Sequence, residues 1–137
     1  MSKEEPIIQK YMSCEPKTLE AGESVEAAEA LMQKLKIRHL PVMKDGVLYG
    51  IVSDRDVKMA LGLVGSSPQL LKLADICHEK PYQVPPDAKL HEVLDEMAGQ
   101  HYGSALVVQN KKLVGIFTAI DACRAFSKVL QQRFHEH

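Results

Sequence analysis

The stretch Gly50-Ile51-Val52-Ser53-Asp54-Arg55-Asp56 returns 65 positions later as Gly115-Ile116-Phe117-Thr118-Ala119-Ile120-Asp121. Both copies read glycine, isoleucine, an apolar residue, a hydroxyl residue, two variable positions and an aspartate. The same offset places Pro16 on Pro81, Met32 on Met97, Val42 on Val107, Leu48 on Leu113 and Ala60 on Ala125, with no gap between them. A repeat of this kind defines the folding unit before local propensity is weighed. Two units of about 60 residues would each be marginal alone, so packing of one on the other is the expected source of stability.

Upstream of the first copy, Leu40 and Val42 alternate with His39 and Pro41, and Lys44-Asp45-Gly46 turns the chain into Val47–Val52. That pattern predicts a β-hairpin. Pro41 lacks an N–H, which predicts a sheet edge or a bulge. Downstream, Val57, Ala60 and Leu61 predict a short helix ended by Gly62 and Gly65, with a linker at Ser66-Ser67-Pro68. Before the hairpin, Val25, Ala28, Leu31, Met32 and Leu35 recur at helical spacing behind a Ser24 cap. Ala27 stands where a capping box would place an acid, so only half of that signal is present. Lys10–Pro16 reads as a helical turn stopped by proline, and Lys17-Thr18-Leu19 as an extended segment.

The second copy repeats this order: a turn at Leu73–Cys77, an extended Tyr82-Gln83-Val84, and a helix lined by Leu90, Val93, Leu94 and Met97. Strands follow at Ala105–Val108 and Leu113–Phe117. The last helix starts near Ala119, carries Ala122, Ala125, Phe126, Val129 and Leu130, and runs further than its counterpart. Phe134 is expected to dock its end and His135–His137 to fray. Five methionines (12, 32, 43, 59 and 97) read as packing. The expected fold is α/β: two pseudo-symmetric units, 8–65 and 66–130, each a small sheet with packed helices, and a tail at 131–137.

Composition narrows the functional classes. Of 137 residues, 45% are apolar and 26% charged, the profile of a water-soluble globular chain. Seventeen basic against eighteen acidic residues give a net charge of −1, which removes any global attraction to nucleic acid. The polar start carries no signal-peptide pattern, and no apolar run is long enough to span a bilayer. Cys14, Cys77 and Cys123 are odd in number with no CxxC pair, predicting free thiols and a cytoplasmic protein. Adjacent Cys77 and His78 are too little for a metal site, and no metal is expected.

Two readings of the repeated heptad stay open on residue type alone. In the first, the glycines allow close backbone approach, Ser53 and Thr118 cap helices, and Asp56 and Asp121 favour the positive end of the helix dipole. In the second, the strand-to-helix junction is an anion site at which the hydroxyl meets a phosphate and the aspartate holds two neighbouring sugar hydroxyls. Phosphate beside a diol describes a nucleotide. Leu40-Pro41 and Tyr102–Leu106 are the candidate walls for its base.

The chain resembles a tandem pair of CBS (cystathionine beta-synthase) domains, a Bateman module, over about Ile8 to Val129. The resemblance rests on Met12-Ser13-Cys14-Glu15-Pro16 and its counterpart ending at Pro81, on Ile37-Arg38-His39-Leu40-Pro41-Val42, and on the two heptads. It implies a regulatory module and not an enzyme, binding adenosine-containing ligands (AMP, ADP, ATP or S-adenosylmethionine) in clefts between the repeats, and commonly a homodimer. By the same similarity Asp56 and Asp121 would hold ribose hydroxyls, and Ser53 and Thr118 would contact phosphate. Thr18 and Val84 would border the base, with His39-Leu40-Pro41 and Ser104-Ala105-Leu106 opposite.

The copies differ where charge matters: Arg55 becomes Ile120, Arg38 becomes Gly103, and Lys58 becomes Cys123. The first site is therefore expected to favour a more phosphorylated ligand, and the two affinities to differ. Arg124 is a candidate compensating charge in the second. Tyr102 beside His101 could border that second site. His39 reads either as a strand residue satisfying a backbone group or as a phosphate or base contact. No nucleophile with an orienting base and acid is legible, so no catalytic residue is expected. No catalytic, transport or DNA-binding segment is recognisable, so a regulated target would be a separate protein. The alternative is a ligand-independent dimeric interaction module.

Overall fold

The computed structural model describes residues 5–64 and 71–134. A 3-10 turn at Ile8–Lys10 leads into β1 (Ser13–Cys14) and β2 (Leu19–Glu20). Then come α1 (Val25–Leu35), β3 (His39–Lys44), β4 (Val47–Ser53) and α2 (Asp54–Val64). The second series is α3 (Leu73–Ile76), β5 (His78–Glu79), β6 (Gln83–Val84), α4 (Leu90–Gln100), β7 (Ser104–Gln109), β8 (Lys112–Thr118) and α5 (Ala119–Phe134).

The chain divides into two compact units: Pro16–Pro81, here the continuous unit, and Met1–Glu15 with Tyr82–His137, the split unit. The continuous unit has a four-stranded sheet in the order β2-β3-β4-β5, and the split unit one in the order β1-β8-β7-β6. In each, the inner hairpin is antiparallel, one short strand joins it parallel, and the other joins it antiparallel. Both sheets carry helices, as the α/β reading requires.

Relative to the sequence repeats 8–65 and 66–130, these units exchange two segments, the lead-in of each repeat. β1, from the lead-in of the first repeat, pairs with β8 of the second; β5, from the lead-in of the second, pairs with β4 of the first. The anchors are equivalent residues. Ile8 is fully buried in the core of the split unit with Val93, Val107 and Phe117. Leu73 is fully buried in that of the continuous unit with Val25, Val42 and Val52. The backbone bonds match as well: Ile8 N–H to Ala88 O (2.8 Å) and Leu90 N–H to Pro6 O (2.9 Å) correspond to Leu73 N–H to Glu23 O (2.9 Å) and Val25 N–H to Leu71 O (3.2 Å).

This exchange explains the two heptad glycines. A Cβ on Gly50 would stand 2.7 Å from the His78 carbonyl oxygen and 3.0 Å from Cys77 Sγ. A Cβ on Gly115 would meet the Met12 side chain, with Cε at 2.9 Å. Each glycine thus clears space for a lead-in segment lying across it.

The hairpin turns are two residues long, and both central residues have positive φ: Asp45 (54°) and Gly46 (79°), Asn110 (53°) and Lys111 (65°). That is the turn geometry matching strand twist, here carrying a lysine where glycine is usual. Ser24 caps α1 by accepting from Ala27 N–H at 3.1 Å. Both α1 and α4 end in a left-handed residue, Lys36 and His101, neither of them glycine.

Several expectations need correction. Pro41 lies on an interior strand, β3, flanked by β2 and β4, and the ladder irregularity falls at Val42/Met43. Its missing N–H has a visible effect. In the split unit Leu106 N–H donates to Tyr82 O at 2.9 Å, and Pro41, the counterpart of Leu106, cannot make that bond. The parallel pairing accordingly begins at Leu19↔Val42, one repeat position later than Gln83↔Leu106. Gly62 sits inside α2 and does not end it, while Gly65 and the 66–68 linker lie outside the described residues. α5 continues through Phe134, into the segment expected to be a tail. Among the described residues Phe134 is 62% exposed and does not dock the helix end; Phe126 and Met59 are likewise exposed. The expected fraying of 135–137 falls outside the described residues.

Candidate ligand site at the strand-to-helix junctions

Each heptad forms the passage from an inner strand into a helix: β4 into α2, and β8 into α5. In the continuous unit Ser53 and Asp56 satisfy one another. Asp56 Oδ2 accepts from Ser53 N–H (3.0 Å) and Ser53 Oγ–H (2.7 Å), while Ser53 Oγ accepts from Asp56 N–H (3.1 Å). This is a capping box in which aspartate takes the acid position. The split unit repeats it: Asp121 Oδ2 accepts from Thr118 N–H (2.9 Å) and Oγ1–H (3.1 Å), and Thr118 Oγ1 accepts from Asp121 N–H (3.4 Å).

The capping reading of the heptad is therefore geometrically realised, and it limits the anion reading. A hydroxyl has one proton. Those of Ser53 and Thr118 already point at an aspartate, so donation to a phosphate requires that internal bond to break. In the continuous unit Ser53 and Asp56 N–H are engaged as above and Asp54 N–H donates to Arg38 O at 2.8 Å, which leaves Arg55 N–H as the first-turn amide available to an anion. What the box leaves over in each unit is the second carboxylate oxygen, Oδ1, an acceptor suited to a hydroxyl.

His39 faces this junction: it opens β3 directly opposite Ser53 in the antiparallel register. Burial pushes its imidazole pKa below the ordinary value, Asp56 pulls the other way, and the Arg38 charge adds to the depression. Ser104 is the buried counterpart, opposite Thr118. Burial opposes ionisation of Asp56, but the Ser53 hydroxyl and N–H bonds together with His78 outweigh it, so its pKa lies below the usual carboxylate range. His78 Nε2 approaches Asp56 Oδ2 at 3.3 Å. In the split unit Arg124 approaches Asp121 Oδ1 at 3.7 Å, and Asp121 is only 7% exposed.

The remaining candidates divide into groups. Leu40 belongs to the core of the continuous unit, and Val84 and Ala105 to that of the split unit, so only their backbone could border a ligand. Pro41 is fully buried on the opposite face of β3. Thr18 is exposed just before β2, and Arg55 is exposed in the first turn of α2. Tyr102 stacks on Tyr82, with ring centroids 5.1 Å apart and planes at 21°. Within the continuous unit His39, Ser53 and Asp56 come together; within the split unit Ser104, Thr118 and Asp121 do.

The residue that sequence reasoning passed over is His78. In the sequence it is weighed only as a metal ligand beside Cys77, yet the repeat alignment pairs it with Ser13, a difference at a position lying against the heptad. Among the described residues no group of three or more His, Cys, Asp or Glu is placed to hold a metal, and no helix is long and apolar enough to cross a membrane.

The CBS domain family matches residues 8–63 and again 73–128. The chain belongs to the CBS-domain family as a tandem pair, a Bateman module. Such modules are regulatory domains and not catalysts. Among solved structures, a putative acetoin utilization protein (AcuB) from Vibrio cholerae superposes with a TM-score of 0.86 at 30% identity, covering 95% of this chain and 96% of that one. CBSX2, solved in complex with AMP, has a TM-score of 0.78 at 24% identity (90% and 97% covered). The CBS domain pair of protein MJ0100, solved with 5′-methylthioadenosine and S-adenosyl-L-methionine, has a TM-score of 0.82 at 23% identity (92% and 99% covered).

Proposed function

We propose that this chain is a regulatory module that binds an adenosine-containing ligand (AMP, ADP or ATP, with S-adenosylmethionine the other member of the class) and signals to a separate protein partner. The observation that carries the proposal is the duplicated junction in which a helix-capping aspartate, Asp56 or Asp121, keeps one carboxylate oxygen outside its capping box. In this reading Oδ1 accepts from the ribose diol, and Ser53 or Thr118 turns its hydroxyl from the aspartate to the phosphate. The hydroxyl exchanges one charge-assisted hydrogen bond, to the carboxylate, for another, to the phosphate, so the switch is close to even in strength. His39, Arg55 and Ser104 line the phosphate side. The backbone at Thr18, Leu40, Pro41, Val84 and Ala105, with the Tyr102 ring, borders the base. The AMP and S-adenosylmethionine complexes of the structural relatives support the ligand class.

A second reading has its own observation. Met59 and Leu63 on α2, and Phe126, Leu130 and Phe134 on α5, are exposed apolar side chains. They suit a homodimer, and a dimer that functions without ligand would need only them. Calorimetric titration of nucleotide-stripped protein with AMP, ADP, ATP and S-adenosylmethionine separates the readings. Saturable binding weakened by Asp56→Asn or Asp121→Asn supports the sensor. Absence of heat and of any ligand-induced melting shift, in a protein that sediments as a dimer, supports the interaction module.

A further inference from the structure

The two junctions share their capping boxes but differ in the cation that meets the aspartate. In the split unit it is a permanent guanidinium, Arg124, and it stands beside Oδ1, the oxygen outside the box. In the continuous unit it is an imidazole, His78, and it stands beside Oδ2, the oxygen already inside the box. His78 is held there by the exchanged lead-in, since β5 pairs His78 with Ile51 and Glu79 with Gly50. Its side chain is 69% exposed, so the ring borders solvent and can meet a bound ligand. The equivalent position in the split unit, Ser13, carries no charge.

We infer that His78 is a specificity-determining residue of the continuous unit's junction: when protonated, it favours ligands that carry a phosphate over the bare nucleoside. The inference rests on the proposed binding function. Asp56 placed against a ribose diol leaves a carboxylate charge close to the ligand's own phosphate, and the two repel. An imidazolium on Oδ2 neutralises that charge without occupying Oδ1. Adenosine, which has no phosphate, is indifferent to the change. Histidine is the side chain whose charge changes within the physiological pH range.

Other charged and titratable groups stand on the elements around this pair. On α2 they are Asp54, Arg55 and Lys58, with Lys58 Nζ 3.1 Å from Asp54 Oδ2. On β3 and just before it stand His39 and Arg38, and burial keeps His39 neutral to lower pH than an ordinary imidazole. Tyr49 is on β4, and Asp75, Cys77 and Glu79 flank His78 in the chain. Burial and Glu79 push the Cys77 thiol up, and the Glu79 charge pushes the Tyr49 phenol up, so both are neutral in this range.

The test measures the dissociation constants of AMP and adenosine at pH 5.8 and pH 7.8, in otherwise unchanged protein and in Asp121→Asn protein. Each background is compared with and without His78→Gln and His78→Lys. The exposure of His78 makes both replacements compatible with folding. AMP's own phosphate titrates near pH 6, and the His78→Gln protein reports that ligand-side effect. The expected result is a preference for AMP over adenosine that grows on acidification by up to about fivefold more with His78 than with glutamine, the scale of an exposed ion pair. With lysine it is already present at pH 7.8. Identical AMP-to-adenosine ratios in the three proteins at both pH values would overturn the inference while leaving the binding function standing. Failure of every protein to bind either probe would overturn the binding function, and this inference with it.

Discussion

The heptad glycines give the sharpest structural prediction, because their repeat equivalence hides unequal surroundings. In Gly50→Ala the new methyl would stand 2.7 Å from the His78 carbonyl oxygen, a backbone atom. An ordinary carbon–oxygen contact is about 3.4 Å, so β5 must retreat by roughly 0.7 Å. Hydrogen bonds near 2.9 Å do not survive that displacement. β5 is joined to β4 only through Gly50↔Glu79 and Ile51↔His78, so about two backbone bonds at about 1 kcal/mol each are at stake. Alanine recovers about 0.5 kcal/mol by restricting the unfolded chain. The net expectation is a loss of roughly 1.5 kcal/mol. In Gly115→Ala the obstacle is the Met12 side chain, which can choose another rotamer, so the expected change is under about 0.5 kcal/mol. Neither glycine has the positive φ that would add strain in both variants alike. Urea denaturation followed by circular dichroism reads the difference as a lowering of the midpoint by somewhat under about 1 M for Gly50→Ala alone. Equal midpoints for the two variants would refute the account of the exchanged lead-in as a close-packed strand.

Two further outcomes follow from the same physics. His39 has a depressed pKa, so the unfolded chain binds its proton more readily than the folded one. The associated stability is complete above the unfolded value near 6.5 and is lost as pH falls from there toward the folded value. Urea midpoints at pH 7.5 and 5.5 should therefore fall more steeply on acidification in the parent than in His39→Ser, and parallel declines would contradict this. Lys111 sits at φ 65° in a hairpin turn. Lys111→Gly should stabilise by about 1 kcal/mol, seen as a higher melting temperature; a lower one would show that the lysine side chain holds the turn.

Much of this architecture is legible in the sequence because each element imposes its own period. The alternation around Leu40 and Val42, and the helical recurrence of Val25, Ala28 and Met32, locate strand and helix without tertiary information. The exchange of lead-ins is not legible, for a definite reason. Ile8 and Leu73 are equivalent residues, and the cores that could receive them are equivalent too, so a pattern satisfied by one pairing is satisfied by the other. Nor do Phe126 and Phe134 announce their exposure, since apolar character fixes what a helix could bury and not what it does bury. At the candidate site, hydroxyl-x-x-aspartate was legible as a cap or as a ligand site. In the folded chain the cap is made and one oxygen per aspartate lies outside it. His78 was out of reach because its partner, Asp56, lies across a strand pairing of two residues.

The most direct measurement for the central claim is a calorimetric titration of AMP and of its 2′-deoxy analogue into the parent protein, Asp56→Asn and Asp121→Asn. The parent should bind AMP at least about tenfold more tightly than the deoxy analogue, the scale of a lost charge-assisted hydrogen bond. Replacing the aspartate of an occupied site should remove most of that preference. Equal binding of the two nucleotides by the parent, or a preference that survives in both asparagine variants, would contradict the assignment of Asp56 and Asp121 to the ribose diol.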